Sequence, residues 1–329
     1  MPTFGILEGN ETVLWFSSRE IDSYMSLIKF ALSFARNIRD GRLDAICHTP
    51  FRIHEQEVNH SEEHRLLLKS KTFEDKRESI TLHFCMDYPT SEIQDKSIAG
   101  SLLELFIEKF IDAMKVKRKV LDKIMADPTD FTAKCDEIFS ETMMSYNLIS
   151  EDAASFLVNA PQERSKKMDL LFSCISVQGL PVATMFYQDL SSHFRFTAME
   201  EDEKDTILEN LISAQLSTLL FQSLEKGTTC NYMLIRFSDF VSFTERNISI
   251  NFFPIKSINS TETTPLTPDK FFFIVMSEGD PGLVKLFQSS ISPLLAETGL
   301  LSEKFNGNVN RYRSLVKILE KFPRELHLD

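Results

Sequence analysis

Apolar positions in the first half of the chain alternate between the two-residue spacing of strands and the wider spacing of helices. Residues 3–7 and 12–16 are short runs of β-forming residues on either side of Gly9 and Asn10, which predicts a β-hairpin. From residue 18 to residue 39, apolar side chains recur every three or four positions, so we predict an amphipathic helix there. Three further strands, at residues 43–48, 65–73 and 79–88, and a long helix at residues 97–126 complete this half.

The second half of the chain repeats this order of elements. Residues 169–177 and 181–188 predict a second hairpin around Gly179. Four acidic residues at 200–203 open a helix that ends near residue 225, before Lys226 and Gly227. The strands that follow are predicted at residues 230–237, 240–245 with 248–254, and 271–276, and the last two helices begin at Asp280 and Asn310.

Polar residues 161–167 separate the two halves and predict a linker. We therefore divide the chain into a first domain at residues 1–150 (with trailing helices), a linker at residues 151–168 and a second domain at residues 169–329. The length agrees with this division, because 329 residues at roughly 150 per domain give two domains.

Composition and charge narrow the class of protein. Apolar residues make up 43% of the chain and charged residues 26%, which argues against a disordered or coiled-coil protein. The net charge of −12 argues against nucleic acid as a partner, because binding to phosphates depends on Lys and Arg. The sequence shows no secretory leader, and its longest apolar run is residues 271–276, so we predict a cytoplasmic protein without a membrane span.

Motifs for catalysis and for cofactor binding are missing from the sequence. It contains neither the G-x-G-x-x-G nor the G-x-x-x-x-G-K-[ST] phosphate loop, and neither the G-x-S-x-G nor the H-E-x-x-H catalytic motif. The five cysteines form no C-x-x-C pair, which indicates buried, reduced thiols. We therefore predict a protein that is not an enzyme and has no catalytic residues, no cofactor and no metal.

Five of the seven histidines fall between residues 48 and 83. His60 and His64 are four residues apart, which is the spacing of two zinc ligands on one face of a helix. They lie in or beside the polar stretch 55–63, however, and we interpret that stretch as a solvated loop rather than as a metal site.

A basic run in the predicted helix at residues 97–126 is the candidate binding site. It consists of Lys115, Lys117, Arg118, Lys119 and Lys123. Such a run suits contact with anionic lipid headgroups at the periphery of a membrane, or with the acidic surface of a partner. A solvated helix end, in which the charges complement the helix dipole, is the alternative interpretation.

The order β-β-α-β-β-β-α in each half resembles the longin/roadblock-like superfamily. The hairpin at residues 3–16 and the helix at 18–39 carry the resemblance in the first half, and the hairpin at 170–188 and the helix at 202–225 carry it in the second. The resemblance implies an α+β fold of two longin/roadblock-like (profilin-like) domains, each a five-stranded antiparallel sheet with flanking helices. Sensor domains of the PAS or GAF type are the alternative fold.

The resemblance also implies a function by class. Longin and roadblock domains act as platforms, so we expect a non-enzymatic scaffold or adaptor in vesicle trafficking. The expected partner is a small Ras-like GTPase or another longin/roadblock-type subunit, and the chain would serve as a subunit of an exchange-factor-like GTPase regulator. The alternative is a small-molecule sensor of the PAS or GAF type, which requires a pocket inside its core.

Sheet edges and helix faces are expected to supply the contact surface, because longin-like platforms leave edge strands and the first helix available. The helices at residues 20–39 and 202–225 would act as platforms, and the aromatic strands at 248–254 and 271–276 would offer an apolar face. Adjacent phenylalanines in a strand point to opposite faces of the sheet, so a sheet with helices on one side leaves an aromatic face exposed to a partner unless the neighbouring domain covers it.

Overall fold

The computed structural model of the chain describes residues 2–9, 12–18, 25–54, 57–60, 62–75, 78–114, 126–153, 167–191, 193–194, 204–239, 244–255, 269–279, 282–321 and 325–327. The strands in these ranges are β1 (Thr3–Glu8), β2 (Thr12–Phe16), β3 (Arg42–His54), β4 (Glu57–His60), β5 (His64–Asp75), β6 (Glu78–Pro89), β7 (Lys167–Val177), β8 (Leu180–Phe186), β9 (Thr228–Asp239), β10 (Thr244–Pro254), β11 (Phe272–Gly279) and β12 (Glu325–His327). The α-helices are α1 (Met25–Asn37), α2 (Lys96–Met114), α3 (Pro128–Ala153), α4 (Lys204–Glu225), α5 (Gly282–Glu297) and α6 (Val316–Leu319).

Both predicted hairpins are confirmed, since β1 pairs with β2 and β7 with β8, each antiparallel. At the second turn Gln178 and Gly179 have positive φ angles of 50° and 75°, the conformation that two-residue hairpin turns require. Two other predictions are wrong in detail. Part of the stretch interpreted as a loop is β4, which pairs with β3. Most of the last predicted helix is the 3₁₀ helix Val309–Leu315, followed by the short α6.

The chain forms two compact units, and their boundaries do not follow the order of the sequence. Unit 1 consists of Met1–Asp22 and Glu62–Glu163, and unit 2 consists of Ser23–Ser61 and Arg164–Asp329. The strands of unit 1 are β5, β6, β1 and β2, in that spatial order. In unit 2 the order is β12, β7, β11, β10, β9 and β3, with β8 also pairing with β7 and β4 with β3.

The expectation of two separate five-stranded sheets is wrong. Among the described residues, unit 1 holds four strands, whereas in unit 2 six strands follow one another and two more pair with members of that series. Inside unit 2, β3 from the first half of the chain pairs with β9 from the second half, so the strands are not divided between the two halves. The ladder runs from Arg42 opposite Arg236 to Pro50 opposite Thr228. The pairing satisfies backbone groups that a separate five-stranded sheet would leave unpaired at its edge.

The core of unit 1 lies between one face of its strands and the helices α2 and α3. Trp15 of β2 stacks on Phe106 of α2 with ring centroids 5.7 Å apart. Phe110 of α2 meets Phe131 of α3 at 6.4 Å, so the two helices share this core. These aromatic residues are almost fully buried. Burial of apolar area is the main favourable term in folding, and it fixes the edge strand β2 against the helices.

Helices cover both faces of the sheet of unit 2 at β11. Phe272 and Leu220 of α4 line the same small cavity, and the ring centroid of the next residue, Phe273, lies 5.7 Å from that of Phe287 in α5 on the opposite face. Phe271, Phe272 and Phe273 are each at most 4% exposed. The aromatic strand 271–276 is therefore core, and the expectation that it offers an apolar surface to a partner is wrong.

Candidate functional site

The basic run that the sequence singled out lies outside the described residues. Lys115, Lys117, Arg118, Lys119 and Lys123 all fall between the end of α2 at Met114 and residue 126. The structure therefore does not show what these five side chains contact, and the described histidines, cysteines and carboxylates are considered next.

Two histidines of the histidine-rich segment have structural hydrogen bonds. His48 of β3 is fully buried, and its Nδ1 lies 3.1 Å from Oγ1 of Thr228 in β9. His83 of β6 is also buried, and its Nδ1 lies 2.7 Å from Oγ of Ser70 in β5. Each histidine thus joins its own strand to the neighbouring one. His60 lies in β4 and His64 in β5, so they do not share the face of a helix.

A third histidine, His64, forms an ion pair inside unit 1. Its Nδ1 lies 2.8 Å from Oδ2 of Asp87, a carboxylate that is 3% exposed. Burial by itself lowers the pKa of His64, but the hydrogen bond and charge of Asp87, with the charges of Glu62 and Glu92, outweigh burial and raise that pKa. The pair joins the first residue of β5 to β6. Sequence reasoning missed it, because Asp87 stands in an ordinary strand pattern.

The five cysteines are free thiols, and all are buried. Burial raises the pKa of Cys135 and of Cys174 to about 12, and it raises the pKa of Cys85 and of Cys230 as well. A thiol is nucleophilic only as the thiolate, which these values disfavour at neutral pH. The prediction that the cysteines are buried is confirmed, and none of the five forms a disulfide in the structure.

Sequence reasoning also missed a charged cluster in unit 2. Glu278 at the end of β11 is 8% exposed and forms an ion pair with Arg246 of β10. Nε2 of His193 lies 3.9 Å from the second carboxylate oxygen of Glu278. The carbonyl of His193 accepts a hydrogen bond of 2.8 Å from the Arg39 N–H, just beyond α1. The cluster therefore fixes the segment after β8 to the end of α1 and to the sheet.

A cleft of about 340 Å³ opens beside this segment, between the end of β8 and the start of α4. Its lining combines apolar residues such as Phe186 and Leu208 with the carboxylates of Asp189 and Glu209. The N–H and hydroxyl of Ser191 donate hydrogen bonds of 2.7 and 2.8 Å to Asp189 and lower its pKa, so this carboxylate serves the local turn.

The two helices expected to act as platforms are largely packed. Nδ2 of Asn37 at the end of α1 donates a hydrogen bond of 3.2 Å to Oε1 of Gln215 in α4, and the two helices contact each other inside unit 2. In α1 the side chains of Ser33 and Arg36 are exposed. Most side chains that the structure describes in α4 are buried or half-buried. These helices therefore form core layers in which only part of each helix surface is exposed, and their use as platforms stays a prediction.

Open strand edges remain as the accessible binding features. In unit 1, β2 is the last strand in the spatial order, and its described backbone pairs only with β1. On this strand Thr12 and Val13 are exposed, with Val13 at 39%. In unit 2, β8 pairs only with β7 among the described strands, and Leu180 is 46% exposed. Edges of this kind are templates for pairing with another chain.

Comparison with protein-family models, with curated proteins and with solved structures found no match for this chain. Among the described residues, no helix combines the length and the apolarity that crossing a bilayer requires.

Proposed function

We propose that the chain is a non-enzymatic scaffold that binds a partner protein through an open strand edge. The observation that carries the proposal is the outer edge of β2, which is exposed at Thr12 and Val13 while Trp15, two residues on, is anchored in the core of unit 1. A rigid strand with free backbone groups binds extended segments without needing a catalytic group.

The chemistry of the buried polar groups supports this proposal over an enzymatic one. His48, His64, His83 and the Glu278 carboxylate form hydrogen bonds or ion pairs that join one element to another, and the cysteines are buried. Groups that cross-link neighbouring elements in this way contribute to folding rather than to turnover.

The partner we propose is a small Ras-like GTPase or another longin/roadblock-type subunit, and the setting is cytoplasmic vesicle trafficking. The support is the order of elements that resembles the longin/roadblock-like superfamily. The basic run Lys115, Lys117, Arg118, Lys119 and Lys123 would add contact with anionic lipid or with an acidic partner surface, at the periphery of a membrane.

The test is binding and nucleotide release with a panel of small GTPases from the same cell. The purified full-length chain is immobilised, and each GTPase is offered nucleotide-free, bound to GDP and bound to a non-hydrolysable GTP analogue. We expect one GTPase to bind with a clear preference for one nucleotide state, and faster GDP release if the chain acts as an exchange factor.

Two outcomes would count against this function. The absence of binding by every GTPase in every state would exclude a GTPase as the partner. A small molecule that copurifies with the chain and raises its melting temperature would favour the sensor alternative instead.

A further inference from the structure

The outer edge of β2 presents backbone groups in known positions. The N–H of Ser17 donates a hydrogen bond of 3.0 Å to the Phe4 carbonyl, and the N–H of Gly9 donates one of 3.1 Å to Thr81 in β6. Even-numbered residues of β1 thus bond to β2 and odd-numbered ones to β6, as an antiparallel ladder requires. Val13 and Phe16 stand opposite odd-numbered residues, so their N–H and C=O groups point away from β1.

An acidic helix surface lies beside this edge. Nε1 of Trp15 donates a hydrogen bond of 2.9 Å to Oδ1 of Asp136 in α3, and Phe139 of the same helix lies 6.2 Å from the Trp15 ring. Asp136 and its neighbour Glu137 are both exposed. Among the described residues, no Lys or Arg forms an ion pair with either carboxylate, so the described part of this edge is acidic.

The strand lacks most of the features that protect edges. β2 contains no Lys and no Pro, and only the extra residue Leu14, which bulges opposite β1, interrupts its ladder. Pairing with a second copy through β2 is disfavoured, because it would bring two sets of Asp136 and Glu137 together in a chain of net charge −12. Charge complementarity favours a basic occupant.

We propose that the edge of β2 binds an extended, basic segment of a partner protein by strand addition, with a Lys or Arg of that segment paired to Asp136. The inference rests on the proposed scaffold function and names the surface and the chemistry of the partner segment. Val13 and Phe16 exchange backbone hydrogen bonds with the added strand, and its side chains on the α3 side face Asp136.

The first test measures binding of a fluorescent, acetylated and amidated peptide of alternating Val and Lys to the full chain by anisotropy. The same peptide with Glu in place of Lys is the matched control. We expect the Lys peptide to bind and the Glu peptide to fail. Asp136→Asn keeps the acceptor for Trp15 and removes the charge, so we expect it to weaken binding about two- to fivefold. Glu108→Gln, which removes an exposed charge from α2, should leave binding unchanged.

The second test asks whether the peptide forms hydrogen bonds with the backbone of β2. Bound Lys peptide should slow hydrogen exchange at the Val13 and Phe16 amides of the wild-type chain. Val13→Pro removes an outward donor and should abolish binding, whereas Val13→Thr keeps the donor and should bind as wild type does. Binding that is insensitive to Val13→Pro, or that leaves exchange at residues 12–17 unchanged, would overturn strand addition.

The two proposals fail separately. A GTPase that binds the wild type and both Val13→Pro and Asp136→Asn equally would leave the scaffold function standing and overturn this surface as its site. Peptide binding that follows the pattern above while every GTPase fails to bind would support this surface and count against the GTPase.

Discussion

At the scale of single residues, buried polar groups show which side chains maintain the fold. His64 and Asp87 are the clearest case, because a carboxylate that is 3% exposed has a partly exposed histidine 2.8 Å away. A buried charge without a partner is costly, so the pair is a requirement of the strand junction rather than a sign of chemistry.

This pair predicts a pH dependence of stability. The pKa of His64 is raised above its ordinary value of 6.5, so the charged histidine stabilises the fold fully below pH 6.5. That contribution is lost as the pH rises through the folded-state pKa. We expect the free energy of unfolding lost in His64→Gln, measured by urea denaturation, to be largest near pH 5.5 and to shrink towards pH 8.5. A loss independent of pH would contradict a charged His64.

At the scale of elements, the β1–β2 hairpin depends on the close approach of the Phe16 ring in β2 to Gly5 in β1. A Cβ on Gly5 would lie 1.9 Å from Cε1 of Phe16 and 2.8 Å from Sγ of Cys85, a thiol that is fully buried. Glycine is therefore needed there for space, and the edge strand β2 is held against β1 partly by this ring.

Gly5→Ala should therefore destabilise unit 1. We expect a loss of about 1–3 kcal/mol in the free energy of unfolding, the usual cost of overpacking. Gly100→Ala in α2 is the matched control, because a Cβ at Gly100 meets no atom within 4 Å and Ala is the better helix former. The control should be neutral or stabilising in the same urea titration. Equal effects of the two changes would show that Phe16 and Cys85 move aside freely.

At the scale of the whole molecule, the chain order and the compact units differ. Helix α1 and strand β3 come from the first half of the sequence but belong to unit 2, where β3 pairs with β9. Side chains support this ladder, since Nδ2 of Asn231 donates a hydrogen bond of 2.8 Å to Oγ1 of Thr49. Unit 2 is thus assembled from two distant stretches of the chain.

This assembly predicts that the two halves stay together when the chain is cut. A protease site placed within residues 154–166, cleaved after folding, should leave two fragments that co-elute in size-exclusion chromatography, because α1 and β3 remain packed in unit 2. In denaturant the same fragments should separate, which is the control for complete cleavage. Fragments that separate without denaturant would contradict a stable β3–β9 ladder.

Local patterning in the sequence determined the elements of this protein. The alternation in residues 3–16 and 169–188 gave the hairpins, and the three-to-four spacing gave α1 and α4, because side-chain period depends on the backbone geometry of each segment. The burial of the cysteines also follows from the sequence, since their neighbours are apolar. In the polar stretch 55–63 the prediction of a loop is wrong at Glu57–His60, which form β4 and pair with β3.

Only the tertiary structure decided how those elements combine. The backbone hydrogen bonds that join β3 to β9 are the same for any residue, so no local pattern states which edge pairs with which. The pairing of His64 with Asp87 and of Glu278 with Arg246 could not be predicted from the sequence either, because each pair joins residues that are distant along the chain. The open edge of β2 beside Asp136 also appears only after folding, when α3 lies against Trp15 and β1 lies between β2 and β6.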